Sequence, residues 1–231
     1  MGFFAYNLFV MHRVLVAIPA YNAANTLAVL IAALERSYPH ITVLVIDDGS
    51  NDRTDEVIRV QGAKVITHER NLGKGAALRS GFNYALNNGF DAVVTMDADL
   101  QHDPAEVQLF LEEFVSDDTL LIGVRRLSDG MPFPRKISNS LSTFVASVFA
   151  GRRIEDSQCG FRLIPTRILR SLQLDSSHYD LEPELVIRAA RAGFTIRGIA
   201  ISTIYNDSVS SIHPVRDTLR FLKLILKSLL W

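Results

Sequence analysis

The chain has 231 residues, 48% hydrophobic and 21% charged, with 13 glycines and 8 prolines, a balance that excludes disordered, collagen-like and low-complexity classes. Lys plus Arg number 24 against 25 Asp plus Glu, so the net charge of −1 supplies no overall field for binding nucleic acid and any charge recognition has to be local. A single cysteine, Cys159, excludes an intrachain disulfide and a Cys-rich zinc site and fits a reducing compartment.

Residues 1–11, MGFFAYNLFVM, lack the basic start and small-residue cleavage site of a secretory signal; Met11 is an alternative start. The continuously apolar runs Val14–Ile18 and Ile41–Ile46 read as parallel strands buried on both faces. Between them Leu27, Leu30, Ile31 and Leu34 recur at helical spacing, with Asn25 as the N-cap. A helix over 53–61, a strand at Val65–Thr67, a helix over 74–88 and a strand at Ala92–Met96 continue a βαβαβαβ order. That order predicts a Rossmann-like α/β fold, a mostly parallel sheet with helices on both faces and ligands at the carboxyl ends of the strands. Asp103, Pro104 and Glu106 form a cap, a first-turn proline and a capping-box acid for a helix running to about Val115. A strand at Leu120–Val124, a loop over 125–136, an amphipathic segment over 137–150, a loop over 151–163, a helix over 181–192 and a strand over 196–204 follow. With no linker and no repeat, the chain reads as one domain: a half that looks like a nucleotide-binding layer (13–103), a half that looks acceptor-facing (104–213) and a C-terminal amphipathic helix (214–231). No stretch reaches the roughly 18 apolar residues of a membrane span.

Three segments carry chemistry. In DADLQH (97–102), after the strand AVVTM, an extended chain would place Asp97, Asp99 and Gln101 on one face, where two carboxylates and an amide oxygen suit a hard divalent cation, Mg²⁺ or Mn²⁺. The same acids could simply solvate a strand end, although Asp103 already serves as the cap. In DDGS (47–50), Gly49 permits a tight turn, and an acid at a strand's carboxyl end can accept the imide N–H of a nucleobase; a plain turn feeding a helix is the alternative. NLGKGAALRSG (71–81), with Lys74 and Arg79 at a glycine-punctuated helix start, suits an anion but matches neither GxxxxGK[ST] nor GxGxxG.

Together, VAIPAYNAANTL (16–27), VIDDGSNDRT (45–54), NLGKGAALRSG, MDADLQHDP (96–104) and DSQCGFRLI (156–164) resemble, in order and spacing, the inverting family 2 glycosyltransferases of GT-A type, most of all the dolichyl-phosphate mannose synthase group, over about residues 13–220. The resemblance implies that Pro19, Tyr21 and Asp48, with Asp47 nearby, line a nucleobase pocket and that Lys74 serves the donor. It implies that Asp97, Asp99 and Gln101 hold a diphosphate-bridging metal, with Asp99 central to catalysis, and that Arg125 and Arg135 contact phosphate. It also places Gly160, Phe161 and Arg162 near the ligands, with Cys159 as packing rather than nucleophile. Glu182 and Glu184 would orient the acceptor loop or donor sugar, unless they only enrich a helix start in acid.

A hydroxyl acceptor needs a placed carboxylate to take its proton, whereas a lipid phosphate, whose second pKa is near 6, is already anionic at pH 7. At 216–231, Arg216, Arg220, Lys223 and Lys227 form a basic stripe opposite Leu222, Ile225, Leu226 and Leu229, suited to an anionic membrane surface, to packing on its own domain or to a homodimer. The segment Ile137–Phe149 is similarly amphipathic, and its family counterpart sits at the membrane interface. Related family members carry membrane-spanning helices beyond this point, so a chain ending at Trp231 reads as peripheral or as shortened. The expected function is metal-dependent transfer of a hexose from GDP-mannose or a UDP-glucose type donor to polyprenyl phosphate on the cytoplasmic membrane face. A transferase acting on a sugar hydroxyl, with Asp156 as a candidate base, and a non-catalytic nucleotide-sugar-binding subunit are the alternatives.

Overall fold

A computed structural model describes residues 12–125, 133–204 and 214–229, with the backbone alone at 133–138, 214–219 and 222. The first half follows the order read from hydropathy: β1 (Val14–Ala20), α1 (Ala24–Ser37), β2 (Thr42–Asp47), α2 (Thr54–Gln61), β3 (Lys64–Thr67), α3 (Lys74–Asn87) and β4 (Ala92–Thr95). A short 3₁₀ turn (Pro104–Glu106) leads into α4 (Val107–Glu113) and β5 (Thr119–Arg125). Then come α5 (Phe133–Ala150), β6 (Arg162–Pro165), α6 (Thr166–Ser171), α7 (Leu181–Arg191), β7 (Thr195–Ile201) and α8 (Pro214–Ser228).

Seven strands form one sheet in the order β3-β2-β1-β4-β6-β5-β7. The pairs β1–β2, β2–β3, β1–β4 and β5–β7 are parallel, while β6 runs antiparallel to both β4 and β5. Strands β1 and β2 are buried almost throughout, which is why they read as apolar runs. Helix α3 lies on β1 and β2 and meets α6; α1 packs on α2, and α5 on α7. Gly81 lets α3 approach, since a Cβ there would stand 3.1 Å from Ile46 and 3.2 Å from Ala17.

Several local expectations are corrected. Asn25 lies inside α1, whose N-cap is Ala23 without a side-chain bond. Asp103 does cap its helix, accepting from Ala105 N, but Glu106 accepts instead from Ser202 N, tying the chain after β7 to that turn rather than closing a capping box. The amphipathic segment begins earlier, at Phe133. The 151–163 loop ends in β6: with only four residues, RLIP, β6 is too short to show a period. In α8, Leu224 and Ser228 are buried, while Leu226 and Leu229 are 67% and 65% exposed beside exposed Lys223 and Lys227, so the apolar and basic surfaces are neighbours rather than opposites. No helix among the described residues is long and apolar enough to cross a membrane.

Candidate active site

The polar residues gather at the carboxyl ends of β1, β2 and β4, the edge where a doubly wound sheet binds ligands. After β4 the chain turns instead of staying extended: Leu100 takes a left-handed φ of 58°, and Gln101 N donates to Asp99 Oδ1 at 3.0 Å. Asp97 and Asp99 are therefore presented by a turn, not by the alternation of a strand. Lys74, the first residue of α3, places its Nζ 2.7 Å from Asp97 Oδ1 and 2.7 Å from Glu182 Oε1, and 5.6 Å from the centre of the Tyr179 ring. Glu182 sits in the first turn of α7, so this ammonium joins the two halves of the chain.

Burial disfavours charge on Lys74, Asp97 and Asp99, and pairing decides the outcome for the first two. Despite burial, the Lys74 ammonium holds the Asp97 carboxyl below its usual range, and Asp97 with Glu182 holds Lys74 well above its own. Asp99 has no such partner among the described residues; burial, with the Asp97 charge beside it, pushes its pKa up. His102, packed on Phe161, is driven down to about 4 chiefly by burial and is neutral, with a buried Nδ1 lacking a hydrogen-bond partner.

Asp47 Oδ1 accepts from Ser50 N at 3.0 Å. Asp48, 3% exposed, accepts from Leu72 N and Gly73 N at 3.0 and 2.7 Å and lies 2.7 Å from His68 Nδ1. With Nδ1 donating, His68 Nε2 accepts from the Ser80 hydroxyl at 2.9 Å. The Asp48 carboxylate thus anchors the 71–73 loop, which leads into Lys74. Gly49 permits the contact, because a Cβ there would meet Arg70 backbone at 2.5 Å. Tyr21, just beyond β1 and 45% exposed, keeps its ring available, while Pro19 stays inside the strand.

In the second half of the chain Arg125 Nε and Nη2 donate to Asp156 Oδ2 and Oδ1 at 2.8 and 3.0 Å, and Asp156 Oδ1 also accepts from Gln158 N and Cys159 N. Arg162, 1% exposed, donates to Cys159 O, Glu182 O and Ser157 O at 2.7, 2.7 and 2.8 Å. Its expected ligand contact is corrected: the guanidinium is a buried brace for the backbone around the site. Arg79 likewise braces the 174–177 loop through Leu174 O, Asp175 O and Ser177 Oγ rather than waiting for an anion. Glu184 accepts from Asp175 N, Ser176 N and Arg188 Nε, holding that same loop. Cys159 is buried and its thiol is pushed up to about 12, mainly by burial, as suits packing. The Arg135 side chain lies outside the described residues.

Asp97, Asp99, Lys74 and Glu182 are thus brought together, with Gln101 on the same turn; Asp48, Glu184 and Arg162 stand behind them as supports. The sequence reading missed His68 and Ser80. The only signal was a polar residue directly after a short strand and a hydroxyl two turns into the next helix.

The donor set fits a hard cation in part. Two carboxylates and an amide oxygen are the right chemistry, and Gly160 keeps the space clear, since a Cβ there would stand 2.7 Å from Asp97 Oδ2. Among the described residues no three of His, Cys, Asp and Glu group to hold a metal. Ligand oxygens would have to complete the shell, as is usual for Mg²⁺ bound with phosphates.

Comparison with known proteins places this geometry. Residues 15–172 match the family model for glycosyl transferase family 2. The chain is 31% identical over 207 residues to an undecaprenyl-phosphate mannosyltransferase of Micrococcus luteus, covering 84% of this chain and 85% of the relative. It is 30% identical over 203 residues to a polyprenol monophosphomannose synthase of Mycolicibacterium smegmatis, covering 82% and 77%. The fold is shared with glucosyl-3-phosphoglycerate synthase of Mycobacterium tuberculosis, solved with Mn²⁺ and UDP-glucose, at a TM-score of 0.72 and 20% identity over 95% of this chain and 78% of that one. With its mostly parallel GT-A type sheet and the acidic turn at the end of β4, the chain belongs to glycosyltransferase family 2.

Proposed function

We infer that this glycosyltransferase moves a hexose from a nucleotide sugar to a polyprenyl phosphate, with inversion, at the cytoplasmic surface of a membrane. The observation that carries the acceptor class is that the three second-half acids that match family positions near the acceptor are already committed. Glu182 is bound to Lys74, Glu184 to two backbone N–H groups and Arg188, and Asp156 to Arg125 and two backbone N–H groups. A hydroxyl nucleophile needs a placed base; a phosphate oxygen, anionic at neutral pH, needs only orientation. The names of the Micrococcus and Mycolicibacterium relatives support the same acceptor class.

In this reading the acceptor phosphate oxygen attacks the anomeric carbon while the bond to the nucleoside diphosphate breaks on the opposite face, inverting the centre. Lys74, placed at the mouth of α3, neutralises charge growing on the departing diphosphate. Asp97, Asp99 and Gln101 would hold a divalent ion, Mg²⁺ or Mn²⁺, which when bound acts as a Lewis acid on that leaving group. Arg125 keeps a cation on the acceptor side, fixed by Asp156. Tyr21 offers its ring to the base.

The membrane surface is supported by two helices. Leu141, Phe144 and Val148 on α5 and Leu226 and Leu229 on α8 are all exposed, and Arg191 links the helices by donating to Phe149 O and Ser228 O. Exposed Arg152 and Lys223 supply positive charge near them, the pairing an anionic lipid surface recognises. The deciding experiment incubates the protein with Mn²⁺, UDP- and GDP-hexoses and a short polyprenyl phosphate, with Asp99→Asn as control. Lipid-linked sugar made by the parent and lost in the variant is expected. Nucleotide release that requires a glycan hydroxyl instead would sink the lipid-phosphate reading.

A further inference from the structure

We propose that Lys74 is an internal cation that competes with the divalent metal for Asp97, and that the donor diphosphate draws it away, so that metal and nucleotide bind as a coupled pair. The inference rests on the metal reading above and adds an order to it: metal alone meets a site whose first carboxylate is already taken.

The Lys74 ammonium lies 2.7 Å from Asp97 Oδ1, a charge-assisted contact at the short end of its range. A Cβ on Gly160 would stand 2.7 Å from Asp97 Oδ2 and 3.0 Å from Lys74 Nζ, so ammonium and carboxylate share one hollow floored by that glycine. A divalent ion bound by Asp97 would enter beside the ammonium, and two cations on one partly buried carboxylate repel strongly at low local dielectric. Displacing Lys74 with nothing to receive it would leave an ammonium, only 16% exposed, with Glu182 as its one carboxylate.

The diphosphate changes this balance, because it brings anionic oxygens for both cations. Only the ammonium has to swing. The base of the lysine is fixed by Asp48 on Gly73 N and by Ser177 O, which accepts from Ala76 N at 3.0 Å. Glu182, held through its own carbonyl by Arg162, stays as the second partner and limits how far Lys74 can travel. By linkage, whatever factor the nucleotide adds to metal affinity, the metal adds to nucleotide affinity.

The test measures binding rather than turnover. Mn²⁺ is titrated into the full chain, alone and with UDP or GDP, and the free ion is followed by its paramagnetic resonance signal. The parent is expected to bind Mn²⁺ weakly alone and about tenfold or more tightly with the nucleotide it prefers, the scale of one charge-assisted contact. Lys74→Met is expected to bind Mn²⁺ alone about tenfold more tightly than the parent and to lose most of the nucleotide enhancement. Glu182→Gln, which leaves Lys74 to Asp97, should move Mn²⁺ affinity the opposite way, and decides the matter if Lys74→Met does not fold. Lys74→Arg, which retains a cation, should keep the parent pattern. Unchanged affinity for Mn²⁺ alone in either variant, with a native melting profile, overturns the competition while leaving the metal site standing. A parent that holds no Mn²⁺ even with nucleotide removes the metal reading and this inference together.

Discussion

Replacing Gly160 with alanine puts a methyl group into the hollow shared by Asp97 and Lys74. The new Cβ would stand 2.7 Å from Asp97 Oδ2 and 3.0 Å from Lys74 Nζ. Since non-bonded contacts of this kind relax toward about 3.3 Å, one side has to retreat by about 0.5 Å. The backbone is the stiffer side: Gly160 O accepts from Thr95 Oγ1 at 2.7 Å, and Arg162 clamps the carbonyls of Ser157 and Cys159 on the approach to it. The carboxylate therefore moves. Overpacking of this size costs about 1–3 kcal/mol, which lowers the melting temperature of a chain this long by about 2–12 °C. The chemistry suffers separately, because a misplacement of about 1 Å at a reacting site can cost about 10²-fold, and a shift of half that size about tenfold. Steady-state kinetics with each nucleotide sugar, a Mn²⁺ titration and a thermal melt separate the two: kcat/KM should fall about tenfold or more while the protein stays folded. A Gly160→Ala enzyme with parental kcat/KM and parental Mn²⁺ dependence would show that Asp97 does not stand at the reacting centre.

Three further outcomes follow from the supports behind the site. Asp48→Asn turns an acceptor of two backbone N–H groups into a mixed donor and acceptor; urea unfolding should show a loss of about 2 kcal/mol, and the KM for nucleotide sugar should rise as the Lys74 loop loosens. Arg162→Leu strips the donors from three buried carbonyls and should cost about 3 kcal/mol or more, with Arg162→Lys recovering little because one ammonium cannot reproduce the fork; parental stability in either would refute the brace. The Cys159 thiol, raised from 9.0 to about 12, keeps a proton that the unfolded chain releases, so its contribution to stability is lost as pH rises from about 9 to about 12. Iodoacetamide at pH 8.5 should accordingly label only denatured protein.

The first half of the fold was legible because its signals are strong and local. Strands β1 and β4 are apolar over nearly their whole length, and α1 spaces Leu27, Leu30, Ile31 and Leu34 along one buried face. The short β6 was hidden because four residues carry no period, and its antiparallel seat between β4 and β5 is a long-range choice that no local pattern encodes. At the site, the acids of DADLQH and the lysine of NLGKG stood out by type and position. Their partners did not: that Glu182 would reach Lys74 across 108 positions, or that His68 would lock Asp48, depends on where α7 and the loop after β3 pack. Arg162 was misjudged for the same reason, since an arginine beside a ligand motif looks identical in sequence whether it faces the ligand or the carbonyls behind it.

The seat of β6 also has a consequence for how the chain folds. Strand β4 has β1 on one side and, on the other, a strand more than 60 residues later in sequence, and β5 joins the sheet only through β6 and β7. A chain emerging up to residue 115 would carry β4 as a bare, mostly apolar edge, a template for aggregation until β6 arrives. Such non-local pairing slows folding. Lys74 meets Glu182 only once α7 is in place, so the contact that joins the two halves of the chain waits, like the middle of the sheet, for residues of the second half.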